Sequence, residues 1–134
     1  VTGIGGGVMK GEKLFGDFFK KKRRDLGLSL REFCRRNGFD PGNISRIERG
    51  LLSPPQTYEK RLEYAKALGI SEGTDEWLEF CDLATVSAGK IPEDMVSNRE
   101  FMNALPILFR TARRKELNEQ ELRELLDKIR REAQ

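Results

Sequence analysis

Between residues 29 and 50, the segment SLREFCRRNGFDPGNISRIERG, apolar positions recur at helical spacing in two short runs separated by a break. Leu30, Phe33 and Cys34 share a face in the first run, and Ile44 and Ile47 do so in the second. Ser29 precedes the first run with Glu32 three residues on, the reciprocal capping pattern that satisfies free N–H groups at a helix start. Gly38 supplies the left-handed backbone angle of a tight stop. Asp40 can then cap a second helix beginning at Pro41, where the missing N–H costs nothing and the ring presets the helical angle. The outward face of this second helix carries Gly42, Asn43, Ser45, Arg46 and Arg49, all small, polar or basic.

The same periodicity organises the flanks. A helix is predicted from about Leu14 to Leu26, with Phe15, Phe18 and Phe19 turned inward. After Gly50 the chain turns through Leu51 to Pro55, and the paired prolines exclude helix. A helix over Tyr58 to Leu68 buries Leu62, Ala65 and Leu68 and ends at Gly69. Another, capped by Thr74 or Asp75, runs to about Ala88 with Trp77, Leu78, Cys81 and Ala84 on one side and many acidic residues. A loop from Gly89 to Ser97 leads to a short helix, Asn98 to Leu105, stopped by Pro106. The nearby Phe101, Leu105, Ile107, Leu108 and Phe109 either complete the core or bury against a second chain. A final helix is capped by Asn118 with Glu121. Its narrow stripe of Leu122, Leu125, Leu126 and Ile129 suits docking on its own domain or across a two-fold axis.

Composition narrows the classes. Of 134 residues, 37% are hydrophobic and 35% charged, as in a charge-rich helical protein with a modest core, and no apolar run approaches a membrane span. A cytoplasmic protein without membrane partners is expected. Residues 1–8 (VTGIGGGV) are read as a disordered leader or expression remnant, since no strand precedes the glycines as a phosphate loop would require. Cys34 and Cys81 lack any CxxC spacing and read as buried thiols. The net charge of +3 conceals an asymmetry: residues 10–50 hold twelve Lys and Arg against six Asp and Glu, residues 51–134 thirteen against sixteen. The basic half contains the paired short helices. Such a patch attracts nucleic acid by releasing counterions from phosphates, and a polar helix held over a supporting one can enter the major groove of DNA.

The run L-G-L-S-x-x-E-F-x-x-x-x-G-F-D-x-x-x-I-S-R-I-E-R-G, from Leu26 to Gly50, followed by a proline pair and by A-K-A-L-G-I at 65–70, resembles the Cro/repressor (Xre) class of helix-turn-helix domains. The resemblance covers roughly residues 14–70. It implies an all-α fold, a compact lambda-repressor-like domain over 9–70, with 71–134 as a C-terminal helical extension for dimerisation or partner binding. Pro41, Gly42, Asn43 and Arg46 match positions that approach base edges. Arg46 can bond O6 and N7 of guanine and Asn43 can bond adenine, whereas Pro41 and Gly42 allow close approach or touch a thymine methyl. Ser29, Arg49 and Gln56 match positions that hold phosphates, and Lys20 and Lys21 join them from the basic run beside the recognition unit. Arg23 matches a structural position whose side chain pairs with a glutamate near the end of the recognition helix, here Glu48. Leu30 stands where many members carry a glutamine that bonds phosphate and neighbouring recognition residues, which weakens that network here.

No histidine is present, which removes the usual general base near neutral pH, the triads built on it and the common zinc sets. No enzyme activity and no cofactor are expected. The expected function is that of a sequence-specific regulator on double-stranded DNA, a dimeric repressor. Because members often serve as antitoxins, a HigA-like role with a toxin protein as partner also follows from the resemblance. The competing reading is a helical interaction adaptor that keeps the fold without reading DNA.

Overall fold

The computed structural model describes residues 4–115 together with 120, 121, 123, 124 and 127. Among these the chain is all-helical: α1 (Ile4–Asp25), α2 (Leu30–Asn37), α3 (Pro41–Glu48), α4 (Tyr58–Ala67), α5 (Asp75–Ser87), α6 (Glu93–Val96) and α7 (Arg99–Lys115). It divides into two compact units, Val1–Pro92 and Glu93–Gln134. No helix among the described residues is long and apolar enough to cross a membrane.

The helix boundaries in the first unit follow from side-chain caps. Ser29 Oγ accepts from the Glu32 N–H at 3.1 Å, Asp40 Oδ2 from the Asn43 N–H at 2.9 Å, and Thr74 Oγ1 from the Trp77 N–H at 3.1 Å. Gly38 leaves α2 at φ 69°, and its N–H returns to the Cys34 carbonyl. Only half of the expected capping box at Ser29 forms, because the Glu32 carboxylate turns instead to Arg35 and Arg36. Those two guanidinium groups also hold the Glu32 carboxyl below its ordinary pKa. With the hydroxyl as the sole cap, Ser29→Ala is expected to lose about 1 kcal/mol of stability, read from a denaturant midpoint shift at unchanged slope.

The core is aromatic and drawn from every helix of this unit. Phe15 and Phe19 of α1, Phe33 and Cys34 of α2, Ile44 and Ile47 of α3, and Tyr64 and Ala65 of α4 are buried together with Leu68, Ile70 and the α5 residues Trp77, Phe80 and Ala84. Phe19 sits at the junction, meeting Phe33 and Tyr64 edge-on, each at 5.7 Å between ring centres. Such pairs prefer this geometry because the positive ring edge faces a negative ring face.

Three expectations change. The first helix begins at Ile4 rather than at about Leu14, because its glycine-rich start has no patterned apolar face to betray it. On α5 the buried stripe is Trp77, Phe80, Ala84 and Ser87, while Leu78 is 58% exposed. The helix is rotated so that Phe80 reaches Phe15 at 5.2 Å between ring centres and Ser87 Oγ accepts from the Phe15 N–H at 3.2 Å. Third, Pro106 lies inside α7 instead of ending a helix. A proline removes one backbone bond and crowds the preceding turn, which strains a helix without necessarily ending it, and the residues on both sides keep helical geometry.

In the second unit α6 packs on α7, and the Asn98 Oδ1 caps α7 by accepting from the Phe101 N–H at 2.9 Å. The capping pair Asn118 and Glu121 and the stripe Leu122, Leu125, Leu126 and Ile129 expected of the last helix lie, apart from Glu121, outside the described residues.

Candidate nucleic-acid interface

Helix α3 is fixed from beneath and at both ends. Ile44 and Ile47 are 1% and 2% exposed, so the inward face is fully committed to the core. At its far end the Glu48 carboxylate receives two bonds from Arg23 on α1, Nε to Oε2 at 2.7 Å and Nη2 to Oε1 at 2.9 Å. The remaining arm of the guanidinium, Nη1, donates to the Leu28 carbonyl at 2.7 Å. Both side chains are buried, and the bond to Glu48 raises the arginine pKa while burial opposes it. This parallel fork is the strongest geometry open to the pair, and it ties the end of α3 to the end of α1.

A residue that the sequence did not single out allows this approach. A methyl group at Gly16 on α1 would lie 2.4 Å from the Ile47 carbonyl oxygen and 2.6 Å from that of Glu48. The two helices therefore meet backbone to backbone, which only glycine permits. A single glycine in a helical run reads in sequence merely as a weak helix position.

The outer face of α3 holds the base-reading candidates together. Pro41, Asn43 and Arg46 are exposed, and Gly42 is half-buried. Arg46 Nη2 donates to Asn43 Oδ1 at 2.8 Å. The guanidinium lies back over the first turn, where its two terminal nitrogens would be 3.6 and 3.7 Å from a methyl at Gly42. A guanidinium has five donors, so one bond to Asn43 leaves enough to meet both guanine acceptors. Asn43 keeps its amide hydrogens and a second lone pair on its oxygen, so both ends of the amide that a bidentate adenine contact needs remain available.

The phosphate candidates separate into free and committed groups. Lys20 is exposed and makes no ion pair among the described residues, whereas Lys21 bonds Asp25 at 2.9 Å. Arg49 Nε reaches its own helix at the Ser45 carbonyl, 3.3 Å, and the Ser29 hydroxyl is occupied as a cap. Gln56 is engaged elsewhere. Its amide nitrogen donates to the Pro54 and Ala84 carbonyls at 3.1 and 3.0 Å, and its oxygen accepts from Arg61 at 3.4 Å. It joins the segment after α3 to α5, with Arg61 completing the link through Pro55 and Thr85. Arg24, at the end of the basic run that begins at Lys20, and Arg31, which sequence reasoning passed over, are exposed and unpaired among the described residues; Arg31 occupies the first turn of α2. Among the described residues no cluster of His, Cys, Asp or Glu is placed to hold a metal.

Comparison with known proteins adds one relationship. No family model and no solved structure matches. An uncharacterized HTH-type transcriptional regulator, y4dJ of Sinorhizobium fredii (strain NBRC 101917 / NGR234), is 41% identical over 59 residues, which make up 44% of this chain and 74% of that protein. With the paired helices already evident in α2 and α3, the chain belongs to the helix-turn-helix-type transcriptional regulators.

Proposed function

We propose that this protein is a sequence-specific DNA-binding regulator of the Xre type that occupies a two-fold symmetric promoter site as a dimer and represses transcription. The observation that carries this reading is the rigidly seated α3 with Asn43 and Arg46 paired on its exposed face. In this reading α3 enters the major groove and Arg46 takes guanine O6 and N7. Gly42 and Pro41 keep the first turn free of bulk. Lys20 and Arg49, together with Arg24 and Arg31, meet phosphates, and the cap at Ser29 presents the start of α2 to the backbone. Lys21 contributes charge after leaving Asp25. Gln56 acts by holding the segment after α3 in place.

The test is selection of bound sequences from a random duplex pool with wild type and Arg46→Ala in parallel. Wild type is expected to enrich a palindrome with half-sites about one helical turn apart. Arg46→Ala is expected to lose about 1–3 kcal/mol of discrimination, roughly 5- to 150-fold, at one guanine per half-site. Affinity should also fall steeply with salt for both proteins, as phosphate contacts dictate. No enriched motif at low salt would overturn the regulator reading and favour an adaptor that keeps the fold for partner binding.

A further inference from the structure

The guanidinium of Arg46 is held before any base arrives. Its Nη2 donates to Asn43 Oδ1 at 2.8 Å, and its two terminal nitrogens rest over the first turn of α3, 3.6 and 3.7 Å from where a methyl at Gly42 would stand. Asp40 Oδ2 lies 3.1 Å from the same point but is engaged as the cap of α3, accepting from the Asn43 N–H at 2.9 Å. The Asn43 side-chain oxygen is therefore the acceptor that fixes the guanidinium. Residues three apart on a helix are neighbours on its surface, so the shorter side chain can steady the longer one. A base that takes Arg46 in this position meets a guanidinium already bonded to Asn43.

Resting on the DNA-reading role proposed above, we infer that Asn43 is a positioning residue that acts on the guanine of Arg46 rather than on an adenine of its own. Its oxygen takes one Nη2 hydrogen, which leaves one hydrogen on Nη2, two on Nη1 and one on Nε for guanine O6 and N7. Fixing a long side chain in advance removes the loss of rotamer freedom that a free arginine would meet on the base. Gly42 completes the seat, because a larger side chain there would stand on the ground where the guanidinium rests. The two roles of Asn43 differ in their chemistry. Adenine needs the amide both to accept from N6 and to donate to N7, whereas holding Arg46 needs an acceptor alone. An ionised aspartate accepts and cannot donate, so Asn43→Asp separates them.

Selection from a random duplex pool with the full chain tests this, using wild type, Asn43→Ala, Asn43→Asp, Arg46→Ala and the double variant Asn43→Ala with Arg46→Ala. Asn43 is exposed, and the cap from Asp40 bonds its backbone N–H, so all four variants should melt like wild type. Asn43→Ala is expected to lower the preference for the guanine that Arg46→Ala loses by roughly 2- to 12-fold, the worth of one intramolecular hydrogen bond. Asn43→Asp should keep that preference while its added negative charge weakens binding to all sequences alike. With Arg46 already replaced, Asn43→Ala should change the guanine preference no further, since the two act as one. Loss of an adenine preference in both Asn43 variants, with the guanine preference intact, would overturn the inference and make Asn43 an independent reader. Equal blurring of the guanine in Asn43→Asp and Asn43→Ala, or a guanine preference unchanged in Asn43→Ala, would overturn it too. Each of these results leaves the regulator reading standing. A wild type that enriches no motif would overturn that reading, and this inference with it.

Discussion

Glu48→Ala is expected to destabilise the Val1–Pro92 unit by about 3–5 kcal/mol, a large share of the roughly 5–15 kcal/mol that holds a typical domain together. The reason lies in what remains. Arg23 cannot lose its proton, and without the carboxylate its buried guanidinium keeps a single neutral acceptor, the Leu28 carbonyl. The melting midpoint should drop by more than about 12 °C, measured by circular dichroism. A double replacement, Arg23→Met with Glu48→Leu, removes both charges and should recover most of the loss. If Glu48→Ala alone melted like wild type, the fork would not be holding α3. Salt separates this role from DNA contact: a buried pair is poorly screened, so the stability difference should persist at high salt while DNA affinity collapses.

Gly16→Ala should cost about 2 kcal/mol or more, against the direction that helix propensity predicts. Alanine favours a helix interior over glycine by about 1 kcal/mol, so an isolated α1 would gain. Here the added methyl would meet two backbone carbonyl oxygens at 2.4 and 2.6 Å, and neither can swing aside as a side chain could. Overpacking of this kind typically costs about 1–3 kcal/mol and occasionally more, which outweighs the gain in propensity. Relief requires α3 to move away from α1, which stretches the Arg23–Glu48 fork. Thermal melting and DNA affinity measured on the same variant check both consequences. A stabilised Gly16→Ala protein would mean that the two backbones are not in contact.

Much of the fold was legible because local chemistry decided it. Ser29, Asp40 and Thr74 each start a helix with the hydroxyl or carboxylate that the pattern suggested, and Gly38 and Gly69 stop one with positive φ. What stayed hidden depends on contacts between distant segments. Leu78 and Phe80 are both plausible inward positions on α5, and only the place of Phe15 selects Phe80. Gln56 looks like a free polar side chain until the Ala84 carbonyl, 28 residues on, comes within its reach. At the reading face the hidden contact is local: sequence names Asn43 and Arg46 as separate readers, whereas their mutual bond, three residues apart on α3, makes them one unit. Gly16 and Pro106 mislead in opposite senses. A glycine that weakens a helix locally turns out to admit a neighbour, and a proline that should end one is absorbed.

The bond between the Phe15 N–H and the Ser87 hydroxyl spans 72 positions, and α1 packs chiefly on α5 and α3. Helix α1 is therefore made well before the partner that completes it. At translation rates of about 5–20 residues per second, α1 waits roughly 3–12 s between its own synthesis and that of Ser87. During that interval Phe15 lacks the cover of Phe80, so the newborn chain is most prone to sticking before α5 emerges. A fragment ending at Ile70 would hold this unfinished state permanently, although it contains the entire stretch that reads as a helix-turn-helix domain.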